Sequence, residues 1–264
     1  MRVIWSRKKQ RLPGVIALGT FDGVHLGHRE LLKEGRRMCG RTGAVLMAFT
    51  FDRHPMQVLC PDRAPELLTD IPQKARLMAQ AGADEMVLVP FSRKTAGMAP
   101  EEFLAALRDF ADIRGIVAGW NYTFGKNGQG NADTLLEDGL QHGYPVSIVP
   151  PVTTKEGKVI SSSAIRECLR QGAVREANGM LGSRYKLGGI LVPASDRGSF
   201  RVDTGSRHRP VIPPDGTYKA DIACSGGAVF PDCTVRIAKG EILPELPEGK
   251  AGPEGRRIRI ELKA

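Results

Sequence analysis

From the start to about residue 182, short apolar runs alternate with segments whose apolar residues recur at helical spacing, and no other feature of this 264-residue chain constrains its fold as tightly. The runs are 15–19, 44–49, 86–89, 116–118 and 146–149, and the helical segments between them are 26–38, 73–81, 100–110 and 132–142. In 73–81, Leu77, Met78 and Ala81 share one face, and Asp70-Ile71-Pro72 is a good helix start. In 102–110, Phe103, Leu107 and Phe110 do the same. Strands alternating with helices of this length predict βαβ units, hence an α/β fold with a parallel sheet. Two more helices are predicted at 164–170 and 173–181. After Gly182 the period changes: 186–192, 217–223, 233–238 and 257–263 are β-rich or alternate, most clearly at Tyr218/Ala220/Ile222 and Ile258/Ile260/Leu262. The Pro-, Gly- and charge-rich stretches 207–215 and 240–255 read as loops between them. The expectation is an α/β domain over 1–184 followed by a small antiparallel β domain or half-barrel over 185–264.

Composition narrows the partners. Net charge is +9, from 38 basic against 29 acidic residues, and such an excess attracts polyanions. The charges form small clusters such as Arg36-Arg37, with no long basic helix and no aromatic-interleaved pattern. Phosphorylated small molecules fit that distribution, and nucleic acid is not expected. The five cysteines, Cys39, Cys60, Cys168, Cys224 and Cys233, are odd in number and lack CxxC spacing, which suits reduced, buried thiols rather than a disulfide framework or a zinc site. The longest apolar runs are far short of the roughly 20 residues that span a bilayer, and no signal-peptide core follows the basic N-terminus. A cytoplasmic protein with no membrane partner is expected; oligomeric state is not legible.

Four segments carry candidate chemistry. Gly19-Thr20-Phe21-Asp22-Gly23-Val24-His25-Leu26-Gly27-His28 lies where the first α/β-region strand ends and its helix begins. In an open α/β sheet that crevice takes ligands, and a helix N-terminus offers free N–H groups to phosphate. Gly27 lets a phosphate approach the backbone, and His25 and His28 can stabilise charge growing on it. The second segment, Ile160-Ser161-Ser162-Ser163-Ala164-Ile165-Arg166, provides an N-cap, hydroxyls and, in the helix's first turn, a guanidinium able to clamp phosphate. Taken alone it is also an ordinary capped helix. The third, Gly119-Trp120-Asn121-Tyr122-Thr123-Phe124-Gly125-Lys126-Asn127-Gly128, offers Asn121 for hydrogen bonds, aromatics for a planar ring and Lys126 for phosphate, or is simply a glycine-rich loop. In the fourth, Thr50-Phe51-Asp52-Arg53-His54-Pro55, His54 is a turn residue or a ligand-binding one.

Taken in this order, these segments resemble the FAD synthetase (FMN adenylyltransferase) module of bacterial bifunctional riboflavin kinase/FAD synthetases, over about residues 13 to 190. That family carries a G-x-F-D-G-V-H-x-G-H loop, a T-F-x-x-H-P turn, an N-[FY]-x-F-G loop and an I-S-S-[ST]-x-I-R segment. The resemblance implies a Rossmann-like nucleotidyltransferase domain and transfer of AMP from ATP to FMN, giving FAD and pyrophosphate, with no covalent enzyme intermediate. It implies that His25, His28 and Arg166 are catalytic, and that Ser161, Ser162 and Ser163 hold the polyphosphate. Gly19, Phe21, Asp22, Gly27, His54, Asn121, Phe124 and Lys126 would bind substrate. No side-chain cage for a metal is visible, so Mg2+ would travel with ATP.

The chain departs from that family in places. Arg53 stands where proline is common, and Ser183-Arg184 replaces Arg-Pro before Tyr185. Where the kinase domain carries G-F-P-T-A-N, the sequence reads Ser199-Phe200-Arg201-Val202-Asp203-Thr204-Gly205. Pro214-Asp215-Gly216-Thr217-Tyr218 still resembles the P-x-G-x-Y that follows. The tail therefore reads as a reduced relic of the kinase domain, with Glu241, Glu245, Glu248 and Glu254 in a loop too poorly held to provide a base, and riboflavin kinase activity is expected to be absent. Adenylyl or cytidylyl transfer to another phosphorylated molecule, or binding of a flavin or nucleotide without catalysis, are the rival readings.

Overall fold

The structure, a computed structural model, describes residues 1–5, 12–194, 199–205, 209–246 and 255–263. It divides into two compact units: 1–65 with 71–159, and 66–70 with 160–264. The units part at 159/160, whereas the change of sequence period lies near 184.

The first unit is built on six strands, β1 (Arg2–Trp5), β2 (Pro13–Leu18), β3 (Val45–Phe51), β4 (Glu85–Val89), β5 (Asp112–Gly119) and β6 (Val146–Val149). All pairings are parallel, in the order β1-β4-β3-β2-β5-β6. Six helices connect them: α1 (Leu26–Thr42), α2 (Met56–Leu59), α3 (Ile71–Gln80), α4 (Arg93–Ala96), α5 (Pro100–Phe110) and α6 (Ala132–His142). The strand runs are continuously apolar because both faces are covered. On β2, Val15 and Ala17 enter a core with Leu31, Leu32 and Met38 of α1 and Met78 of α3. Ile16 and Leu18 enter the opposite one, with Phe103, Leu104 and Leu107 of α5. β1 was not legible, since four residues with two charged or polar neighbours acquire strand character only by pairing with β4, some eighty residues away.

In the second unit α7 (Ser162–Arg170) and α8 (Val174–Leu181) precede β7 (Lys186–Pro193), β8 (Phe200–Asp203), β9 (Gly216–Cys224), β10 (Val229–Ala238), β11 (Glu241–Glu245) and β12 (Arg257–Leu262). The antiparallel order is β11-β10-β9-β12-β7-β8. The two ends of that order, β8 and β11, lie against each other, and Arg201 pairs with Glu241 across them at 3.6 Å. The sheet therefore curls nearly into a barrel, which leaves little unpaired edge. Its interior is the alternating set Ala220, Ile222, Val235, Ile237, Ile258, Ile260 and Leu262.

One expectation about the tail is corrected. Glu241 and Glu245 sit on a strand, exposed at either end of β11, because Ile242 and Pro244 point inward between them. Glu248 and Glu254 lie outside the described residues.

Candidate active site

The loop from Gly19 to His25 turns the chain from the end of β2 into α1 at a local cost in backbone strain. Phe21 (φ 50°) and Val24 (φ 42°) both occupy the left-handed region, with Gly23 (φ 84°) between them. Such residues cost on the order of 1–3 kcal/mol each and persist only where the surroundings hold them. Here the apolar side chains of Phe21 and Val24 are completely buried, which ties the strained backbone to the core. Asp22 is buried as well.

His25 is the N-cap of α1: its Nδ1 accepts from the backbone N–H of His28 at 3.3 Å. His25 is thereby fixed through Nδ1 at the start of α1. His28 stacks on His25 with centroids 3.7 Å apart and meets Phe21 at 5.1 Å. Its Nδ1 is buried with no hydrogen-bond partner among the described residues. Burial, and then the charges of His25 and Lys74, hold the His28 pKa well below its ordinary 6.5. Gly27 is the second residue of α1.

Lys74 of α3 was missed as a site residue. Its Nζ donates to the Thr20 carbonyl at 2.8 Å, and the Thr50 hydroxyl donates to the same oxygen at 3.0 Å. Burial lowers the Lys74 pKa, opposed by the charge of Asp22. A lysine on a helix is ordinarily solvated, yet Lys74 falls one turn before Leu77 and Met78, on the buried face. That position was the available signal.

A parallel sheet gathers the loops after its strands at one edge. Gly19 N–H donates to Phe49 O and Trp120 N–H to Val149 O, so the ends of β2, β3, β5 and β6 are level there. The histidine loop, the His54 turn and the Asn121 loop thus share the carboxyl edge. Gly19 is backed by Phe21, whose ring would lie 3.0 Å from an added Cβ. His54 organises its own turn: its N–H donates to Gln57, and its Nδ1 accepts from Met56 N–H at 3.2 Å. Asn121 and Lys126 are exposed, as is Trp120. Phe124 is instead a core residue, packed on Phe103 and bridged through its backbone to Gly130. Gly125 (φ 72°) passes so close to Pro100 that a Cβ would lie 2.9 Å from the proline nitrogen, so only glycine fits there.

The serine–arginine segment belongs to the second unit. Ser161 Oγ accepts from Ala164 N–H at 3.2 Å, capping α7. The cap draws Ser162 and Ser163 into the helix, so Arg166 stands in the second turn rather than the first. Arg166 is buried, and its Nε donates to Glu66 O at 2.7 Å. The 66–70 segment is itself anchored: Leu67 N–H donates to Arg209 O at 2.7 Å, and Val211 N–H to Leu67 O at 3.2 Å. In the tail, Asp203 Oδ1 accepts from Gly205 N–H at 2.9 Å, which accounts for Asp203-Thr204-Gly205 as a turn.

Residues 7–164 match the family described as FAD synthetase. The chain belongs to the FAD synthetase family. It is 31% identical over 233 residues to a bifunctional riboflavin kinase/FMN adenylyltransferase of Bacillus subtilis (strain 168), covering 86% of this chain and 73% of that one. A bifunctional relative in Listeria monocytogenes is 36% identical, covering 70% of this chain and 58% of its own length. A protein from the same organism named simply FAD synthetase is 30% identical over 83% of this chain and 85% of that one. A crystal structure described as a macrolide-efflux protein from Streptococcus pneumoniae superposes with a TM-score of 0.84, over 99% of this chain and 90% of that one, at 24% identity. That likeness carries the fold alone. The FAD synthetase match encloses the histidine loop, Thr50, His54, Lys74 and the Asn121 loop, and it ends inside α7 just before Arg166.

Proposed function

We propose that the chain transfers the adenylyl group of Mg-ATP to FMN, releasing pyrophosphate and giving FAD. An FMN phosphate oxygen attacks the α-phosphorus, a P–O bond forms, and the bond to the bridging oxygen breaks as pyrophosphate leaves. The nucleophile is already an anion, so no base is required, and the protein's task is positioning and charge stabilisation. The observation that carries the reading is the strained, buried loop that presents two stacked histidines at the N-terminus of α1.

The N-terminus of α1 and the His25 ring meet charge growing on the α-phosphate. Negative charge brought by the triphosphate favours the protonated form of His28, against the burial that disfavours it in the free chain. Ser161 is occupied as a cap, which leaves Ser162, Ser163 and Arg166 to hold the polyphosphate. Asn121 and Lys126 place substrate at the sheet edge, and Phe124 supports their loop from the core. Asp22 acts from within the loop. Magnesium enters on the phosphates of ATP and keeps its waters.

Riboflavin kinase activity is absent in this reading. The nearly closed sheet has no G-F-P-T-A-N segment, and Asp203 is committed to its own turn. The similarity to a relative named FAD synthetase alone, over most of its length, supports this. No described helix is long and apolar enough to cross a membrane. Incubation with FMN and Mg-ATP, followed by chromatography, tests the proposal: FAD and pyrophosphate are expected in equal amounts. Intact FMN alongside adenylylation of another phosphorylated alcohol would transfer the reaction to a different acceptor.

A further inference from the structure

We infer that Lys74 is a positioning residue for adenylyl transfer, acting through the Thr20 carbonyl to hold the histidine loop in its strained conformation. The inference rests on the proposed role of that loop. Side-chain contacts help to hold the loop besides the burial of Phe21 and Val24. His28 N–H binds His25 Nδ1, Arg29 Nε donates to Val24 O at 3.2 Å, and Lys74 and Thr50 converge on Thr20 O. The first two lie within or beside α1. The last reaches the loop from other elements, from α3 and from the end of β3, as does the Gly19 N–H bond to Phe49 O, and it grips the residue next to Phe21, where the strain begins.

A buried lysine is an expensive way to make one hydrogen bond. Lys74 is 9% exposed, and an apolar residue of its size would satisfy the α3 face that already carries Leu77 and Met78. Lys74 faces the charge of the buried Asp22, so it also contributes to stability, because removing one of two opposed buried charges is costly. Thr50 would still cap the Thr20 oxygen. An apolar residue would supply neither the charge nor the direction of this bond. What the ammonium adds is a charge-assisted bond that fixes the carbonyl's direction and positive charge beneath a loop that receives phosphate. Both serve preorganisation, in which displacement of about 1 Å can cost roughly a hundredfold in rate.

The test compares Lys74→Met, Lys74→Arg and Thr50→Val with the parent chain. Readouts are turnover of FMN and Mg-ATP, thermal melting, and amide hydrogen exchange of the 20–28 segment. Lys74→Met is expected to melt below the parent while remaining folded at the assay temperature, to lose about a hundredfold in kcat with a much smaller change in KM for ATP, and to exchange faster across 20–28. Lys74→Arg, which restores charge and donor, should recover at least a tenth of the parent rate. Thr50→Val should shift kcat in the same direction by less. A folded Lys74→Met with kcat within threefold of the parent and unchanged exchange overturns the inference. So does a kcat loss that Lys74→Arg fails to relieve while exchange stays at the parent level. Should Lys74→Met not fold, Lys74→Arg and Thr50→Val decide: parent-like exchange and turnover in both overturns it. If the parent makes no FAD, the proposed function fails by itself, and exchange across 20–28 still tests Lys74.

Discussion

His28 concentrates the tension between folding and catalysis in one ring. It is packed against Phe21 and His25, with an unsatisfied Nδ1 and the Lys74 charge nearby. Its folded pKa lies below the unfolded value of 6.5, so the unfolded chain binds the proton more readily. The stability conferred by a neutral His28 is thus complete above about pH 6.5 and is lost as pH falls from there towards the folded pKa. Urea midpoints should decline on acidification from about pH 7 to 5 more steeply in the parent than in His28→Gln. Parallel declines would mean that other groups govern the acid side. For catalysis, removing a donor that acts on transition-state charge costs on the order of a hundredfold. His28→Ala should lose about that in kcat, with the fold kept and ATP binding affected less; activity within threefold would remove it from the mechanism. The two histidines were legible because they crowd a strand-to-helix junction. Lys74 was passed over because lysine is usually solvated, although its place on the Leu77/Met78 face was in plain view.

At the scale of elements, the limits of α5 and α6 were readable to the residue, since Pro100 starts one helix, and Asn131 and Gly143 cap the other. Those signals are local. β1 and β11 were missed because theirs are not: β1 depends on β4, and the alternation in β11 is interrupted by a proline that sits inward. The same distinction explains Arg166. Its motif was legible, but its anchor, Glu66, lies a hundred residues earlier in sequence, in a segment bonded to residues 209 and 211. In the proposed role, the guanidinium held at Glu66 O through Nε gives phosphate a planar, multi-donor partner that the single nitrogen of lysine does not reproduce. Arg166→Lys should therefore raise KM for ATP by about tenfold or more, given roughly 1.5–3 kcal/mol for a hydrogen bond to a charged group, and leave KM for FMN nearly unchanged. Equal weakening of both substrates would assign Arg166 to organising α7 instead.

For the whole molecule, the question is what a second unit does in a chain whose chemistry lies with nucleotide transfer. Its sheet is well formed: six strands with a continuous apolar interior and an ion pair from β8 to β11. The proposed loss of kinase activity therefore concerns chemistry, which fold quality alone would not disclose. Kinase catalysis needs a phosphate loop, a metal-holding side chain and a base placed at the attacking hydroxyl. Of the acidic candidates within the described residues, Glu245 is exposed at one end of its strand, Glu241 pairs with Arg201, and Asp203 closes a turn. Meanwhile Tyr185, wholly buried, donates to Val211 O at 2.9 Å, and Asn178 of α8 bonds both Tyr185 N–H and Leu262 O. These bonds join α8, which follows the serine segment, to the sheet, so the unit has a reason to fold apart from any catalysis of its own. The expected outcome is a division of labour visible in one experiment. With riboflavin and Mg-ATP the chain should form no FMN above the no-enzyme control, while with FMN and Mg-ATP it should form FAD. A steady rise of FMN from riboflavin, resolved by chromatography and dependent on enzyme concentration, would show that the barrel keeps a kinase site built from residues other than these.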